Sequence, residues 1–354
     1  MIETSLGPAP PSSSAAPHGV QRIFYWAAVI LICAVSIGGS LYWINRNVVL
    51  IGRDAGGHLI DTLEQAEILR EPSLQSLLMA LSFNSYRPPA FFLFSQPFYA
   101  LFGYSADAAQ LQNVLWLAVI LGLTFLYGWR FQNAFVALLA LALTAFLPML
   151  AGMTRMFYTE NFITAMVMLN LLALMASKRF TRRGWSLIWG VSAALGMLVK
   201  WTFPVYVFIP LLLVIWPLLR RPQAQPSRPE PGSGSQRWRT GGISLAVGAA
   251  VTFLLVIFSY SYIATLVLGP TIFLVWFMLI AATAFMLQQR SSPWNNLLAA
   301  IMLALLLASV WYLTRIEFVT DLFDAAFGTY GGRRSHGFDP LDSRFYTRNW
   351  VYLW

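Results

Sequence analysis

Charge is what this chain has least of. Asp, Glu, Lys and Arg make up only 10% of its 354 residues, against roughly 25% in an average soluble domain. With 58% hydrophobic residues and a mean hydropathy of +0.63, a soluble core of this size is excluded. Cysteine is nearly missing as well. Cys33 stands alone inside the first apolar run, so neither a disulfide framework nor a cysteine metal site can form within one chain. The net charge of +9 does not point to nucleic acid. Its Lys and Arg residues lie at the ends of apolar runs, where they orient spans and meet lipid headgroups. What is left is an all-α polytopic membrane protein.

The apolar runs predict about nine transmembrane helices, near 23–44, 109–129, 134–152, 159–177, 185–200, 203–219, 241–266, 270–287 and 296–313. Each is about long enough to cross a bilayer. Residues 1–22 are rich in Pro, Ser and Ala and read as a disordered cytoplasmic tail, leaving 23–354 as one transmembrane domain. Within it, 45–108 forms a first outer loop, 220–240 a flexible cytoplasmic linker, and 315–346 a second outer loop. In the first loop, Leu59, Leu63, Ala66 and Leu69 share one helical face, opposite Asp61, Glu64, Glu67 and Arg70. That pattern predicts an amphipathic juxtamembrane helix. A second short helix is expected over 73–83. Pro88-Pro89 then ends one element and opens an interfacial helix over 90–102. The connectors at 178–183 and 220–221 are basic and contain no acid. They place the N-terminus in the cytoplasm and the 45–108 loop on the outer face.

Polar residues gather at that outer edge in four clusters. The first is Gly52-Arg53-Asp54-Ala55-Gly56-Gly57-His58, where a tight turn at Gly56-Gly57 is expected. The second is Tyr86-Arg87-Pro88-Pro89, the third Arg155 to Glu160, and the fourth Lys200-Trp201-Thr202. Each has a plain reading by itself. Asp54 suits a solvated turn, Glu160 suits the positive end of a helix dipole, and Lys200 suits a snorkelling anchor. Together they place two carboxylates and several cations on one membrane face. That set can activate a hydroxyl or amine nucleophile while cradling a phosphate leaving group.

The order of these clusters resembles the GT-C class of membrane glycosyltransferases, above all the protein mannosyltransferase and aminoarabinose transferase branch, glycosyltransferase family 39. Asp54 matches the catalytic Asp of that family's first outer loop. Arg87-Pro88-Pro89-Ala90 matches its His-Pro-Pro-Leu element, and Arg155…Glu160 its second acidic element. Gly190…Gly196…Lys200 matches its fifth span, and Trp311-Tyr312 looks like its Pro-Trp-Tyr region. The chain departs from the pattern in having Ala55 where the family has Glu and Arg87 where it has His. The 241–290 stretch has no clear counterpart. The resemblance implies inverting transfer from a polyprenyl-phosphate sugar to an acceptor that is a protein, a glycolipid or a wall polymer, at the non-cytoplasmic face of the cell membrane. It implies Asp54 as general base, with His58 supporting it. Arg87, Arg155 and Lys200 become phosphate contacts, with Arg53 and Tyr86 beside them at the substrate. Glu160 becomes a metal-linked or acceptor-orienting acid. A divalent metal is an open option, for which one His and two acids make a thin ligand set.

Two other classes compete with this reading. A transporter or flippase would place ionisable residues or broken helices near mid-membrane, whereas here they sit at span ends. Members of the family also continue through further spans beyond the point equivalent to Trp354, which makes an inactive, truncated scaffold the other alternative.

Overall fold

The computed structural model describes residues 19–47, 52, 54–83, 87–220, 244, 246–248 and 269–315. Most of the expected tail, the 220–240 linker, nearly all of the 241–266 span and the 315–346 loop fall outside the described residues, as do Arg53 and Tyr86. Every regular element among the described residues is a helix.

Helix α1 (Gly19–Arg46) begins four residues before the expected span and leads into the first loop. That loop holds α2 (Ala55–Ile68), α3 (Leu74–Leu81), α4 (Ala90–Leu93) and α5 (Gln96–Phe102). Ser73 starts α3 with a reciprocal capping box to Ser76. Pro89 stands at the N-cap of α4, and Gly103 ends α5 at φ +81°. The bundle follows with α6 (Ala106–Phe131), α7 (Ala134–Ala145), α8 (Pro148–Arg155), α9 (Glu160–Ala176), α10 (Arg183–Val199) and α11 (Phe203–Arg220). It closes with α12 (Gly269–Gln288) and α13 (Pro293–Tyr312).

Four of these helices, α1, α6, α11 and α13, are long and apolar enough to cross a membrane, and the α7–α8 pair makes five if taken as one span. Helices α9, α10 and most of α12 are apolar but shorter. The protein is a multi-pass membrane protein.

The 134–152 run is one span in the sequence reading and two helices in the structure, bent by 53° between α7 and α8. Pro148 is the cause. It pushes Leu147 into the extended region, at φ −67° and ψ 116°, and opens α8 as its first residue.

Helix α2 lies in the first loop with its polar side inward. It buries Ala55, His58, Thr62, Gln65 and Ala66, while Ile60 and Leu63 stay exposed. The face turned inward is thus the small and polar one. Gln96 fastens it to α4 and α5, its Nε2 donating to the Thr62 and Phe92 carbonyls at 3.1 and 2.9 Å.

The main core joins α2, α4, α6, α9 and α10, with Trp116 stacked on Phe162 at 3.8 Å between ring centroids. Helices α10 and α13 cross closely at Gly190, where an added Cβ would lie 2.4 Å from the Ala300 carbonyl oxygen. Small residues permit that approach. Three consecutive residues of the α9–α10 connector, Lys178, Arg179 and Phe180, hold positive φ of 49°, 58° and 62°. A left-handed backbone costs roughly 1–2 kcal/mol for each such residue. The buried Phe180 ring offsets this, packed edge-on against Trp189 at 5.5 Å.

Candidate functional site

Glycines shape the Asp54 loop, but at other positions than expected. Gly56 and Gly57 are not turn residues, for both lie inside α2. The turn falls at Gly52, whose φ is +112°. An added Cβ there would lie 2.6 Å from the Tyr158 ring, so conformation and space both require glycine. Gly57 instead clears room beside Arg87, whose Nη1 would lie 3.3 Å from its Cβ.

Asp54 is the N-cap residue of α2, yet its carboxylate makes no capping bond and is exposed. The loop is held by its backbone: the Asp54 N–H donates to Tyr158 Oη at 3.2 Å. Tyr158 belongs to the segment between α8 and α9, which packs against α6 through buried amides. Asn113 Nδ2 donates to the Met156 carbonyl. Asn161 Nδ2 donates to Thr154 Oγ1 at 2.7 Å and to the Asn113 carbonyl at 3.3 Å.

His58 is where the clusters meet. Its ring is buried and lies edge-on to Phe91, Phe157 and Tyr158, at centroid distances of 5.4, 6.4 and 5.6 Å. Nδ1 is 2.7 Å from the Phe157 carbonyl, which only accepts. Nδ1 therefore carries the proton, and Nε2 holds the lone pair when the ring is neutral. Burial lowers the His58 pKa below its ordinary value. The bond to Phe157 raises it, Arg87 lowers it, and Glu160 and Asp54 raise it. Asp54, Arg87 and Glu160 are thus all within electrostatic reach of one neutral imidazole.

Two ion pairs flank this point. Arg87 Nη1 meets Asp61 Oδ2 at 3.3 Å, with side chains only 15% and 18% exposed. Lys200 Nζ meets Glu160 Oε1 at 2.9 Å, both just over a third exposed. Glu160 is the first residue of α9 and Lys200 follows the last turn of α10, so the antiparallel pairing of these helices brings the two ends together.

Of the residues expected at the site, Asp54, His58, Arg87, Glu160 and Lys200 come together. Arg155 takes a different neighbour. Its guanidinium lies 5.8 Å from the Trp43 ring of α1, and its Nε is buried without a hydrogen-bond partner. Two contributors were not assigned from the sequence. Asp61 read as part of a solvated face, and only its spacing of three from His58, on one side of a helix, hinted otherwise. Tyr158 stood inside the third cluster without a role, and nothing in its local sequence signals a contact with residue 54.

No group of three or more His, Cys, Asp or Glu that could hold a metal occurs among the described residues. Glu160 already has its charge met by Lys200. A divalent ion does not fit this donor set.

Residues 86–227 match the family model of dolichyl-phosphate-mannose-protein mannosyltransferases. Among solved structures, the chain is similar to ArnT from Cupriavidus metallidurans in the apo state, at 16% identity and a TM-score of 0.40. That likeness covers 88% of this chain, which spans 63% of the length of the other. No curated protein matches the chain. The matched stretch takes in Arg87, Arg155, Glu160 and Lys200 and leaves Asp54 and His58 before it. Across residues 86–227, then, this chain is similar to the dolichyl-phosphate-mannose-protein mannosyltransferases, and the match supports a membrane glycosyltransferase of the GT-C class.

Proposed function

We propose that the protein transfers a sugar from a polyprenyl-phosphate donor to an acceptor hydroxyl or amine at the membrane edge that carries Asp54. That edge is the non-cytoplasmic face, because the basic connectors lie at the other end of the bundle. The observation that carries the proposal is the meeting of Asp54, His58, Arg87 and the Glu160–Lys200 pair from four separate stretches of chain.

The acceptor oxygen or nitrogen attacks the anomeric carbon from the side opposite the phosphate, which inverts the configuration. The bond from that carbon to the phosphate oxygen breaks, and its electron pair stays on the phosphate. The acceptor proton passes to the Asp54 carboxylate, which is exposed and unencumbered by capping. Asp54 then returns the proton to water. Charge growing on the phosphate is met by Lys200 and Arg87, each held beforehand by a carboxylate. Groups placed in advance need no reorganisation as the bond breaks. Arg155 serves the same charge if its guanidinium leaves Trp43. Glu160 orients the acceptor through the carboxylate oxygen not bonded to Lys200. Neutral His58 anchors the loop beneath Asp54 and adds no positive charge there.

The test offers polyprenyl-phosphate mannose and polyprenyl-phosphate aminoarabinose in turn to membranes containing the protein. Asp54→Asn, expressed at the parent's level, is expected to abolish transfer. Full transfer by that variant would overturn the assignment of the base.

A further inference from the structure

We propose that the end of the bundle opposite Glu160 carries a preformed site for the phosphate headgroup of an anionic phospholipid, built from Lys178, Arg179, Arg182 and Arg290. It rests on the membrane-spanning reading and is independent of the glycosyltransferase reading.

Two connectors form the site, and named bonds fix them to each other. The turn between α9 and α10 is wound left-handed through three residues that are not glycine. Its lock is internal: the Phe180 N–H donates to Ser177 Oγ at 3.1 Å, and the Arg182 N–H to the Ser177 carbonyl at 3.0 Å. The turn is then tied to the connector between α12 and α13. Asn296 Nδ2 donates to the Phe180 carbonyl at 2.8 Å and to Ser291 Oγ at 3.0 Å. Arg183 is the second tie, donating to the Gln289 carbonyl at 2.8 Å and to that of Leu287. These ties set Arg290 beside the basic turn.

The result is a group of cations whose charge no acid among the described residues meets. Lys178, Arg182 and Arg290 are exposed and Arg179 is half-buried. None of the four makes a salt bridge among the described residues. Every acid among the described residues lies in the 54–71 stretch or in the first turn of α6 or α9, at the other end.

A signal for membrane orientation needs only charge, and any pliable turn could hold it. It does not account for a backbone forced uphill and then braced from a second connector. Such strain persists where the surroundings over-determine it. Guanidinium groups carried on a fixed backbone suit phosphate oxygens. The depth favours lipid over free phosphate. Helices α9 and α10 have 17 residues each, about 25 Å at 1.5 Å per residue. That falls short of a hydrocarbon core of about 30 Å. The turn is therefore drawn in to the membrane boundary and does not stand clear of it, and basic pockets between spans there take anionic headgroups.

The full chain, held in nanodiscs of phosphatidylcholine with phosphatidylglycerol, is extracted and its retained lipid weighed by native mass spectrometry. Phosphatidylglycerol is expected to be retained in preference. Each cation in contact with the bound headgroup is expected to contribute about a fivefold preference, so K178Q/R182Q should weaken it about twenty-five-fold. R182Q/R290Q should do the same without touching the positive-φ residues, which covers the case that Lys178→Gln disturbs the turn. R22Q/R130Q removes two cations of α1 and α6 at the same end and should leave the preference unchanged. An equal loss in R22Q/R130Q would overturn the site in favour of diffuse charge. Equal retention of phosphatidylcholine would overturn it outright. Displacement of the lipid by inorganic phosphate at comparable concentration would overturn the assignment to lipid.

Discussion

Alanine at position 52 tests how the Asp54 loop is held. Two costs meet at this residue. A side chain at φ +112° sits in a region suited to glycine, which costs roughly 1–3 kcal/mol. The new Cβ would also lie 2.6 Å from Tyr158 Cε2 and Oη, and overpacking of that kind costs roughly 1–3 kcal/mol. Against them stands one hydrogen bond, Asp54 N–H to Tyr158 Oη at 3.2 Å, worth about 0.5–1.5 kcal/mol net. The bond is the weaker side, so Gly52→Ala is expected to release the loop from Tyr158 rather than unfold the bundle. Hydrogen exchange read by mass spectrometry on the peptide containing Asp54 should show its amide losing protection. A double-mutant cycle with Tyr158→Ala tests the release. Both variants lose the same bond, so the pair should couple by about 0.5–1.5 kcal/mol in detergent denaturation. Strict additivity, or an amide in Gly52→Ala as protected as in the parent, would refute the latch.

Three further outcomes follow from the same geometry. Asp61→Asn removes one counter-charge from the Arg87 guanidinium, only 15% exposed. Glu160→Gln breaks a pair whose members are over a third exposed. Denaturation should therefore show a loss well above 1 kcal/mol for the first, tending toward the roughly 3–5 kcal/mol of a broken buried pair. The second should lose at most about 1 kcal/mol while still depressing transfer. His58 should make stability depend on pH. Its folded pKa lies below the unfolded value of about 6.5, so the unfolded chain binds the proton first. Stability is then whole above about pH 6.5 and falls as pH drops from there to the folded pKa. His58→Gln should flatten that stretch of the profile. Gly190→Leu should lower the melting temperature by forcing α10 from the Ala300 carbonyl, where even a Cβ would come within 2.4 Å.

How much of this could be read beforehand depended on the range of each signal. Span ends were legible because apolar runs are long and local, and α9 begins at Glu160 as its sequence suggested. The 134–152 run breaks into two helices at Pro148, where local backbone sterics outweighed the continuity of the apolar run. In α2 the hydrophobic pattern groups Leu63 with Ala66 on one face, yet Leu63 is exposed and Ala66 buried, and Thr62 and Gln65 are fully buried. In a membrane protein lipid satisfies an apolar face as well as a core does, so amphipathic pattern loses its power to tell inside from outside. The polar face then goes where protein can bond it, as Gln96 does at Thr62. The same inversion bears on the site. Titratable residues at span ends could be listed from sequence, but their partners are set by which faces the bundle turns inward. That is why the pattern places Asp61 on the polar face of α2 but does not pair it with Arg87. It also explains the different fates of Lys200 and Arg155. Lys200 ends a helix that runs antiparallel to the one Glu160 begins, so their pairing follows from chain order. Arg155 precedes a segment with no regular structure, whose path is set by Asn113 and Asn161. Nothing in the local sequence says that these buried amides, and not the arginine, hold the turn that carries Tyr158 to Asp54.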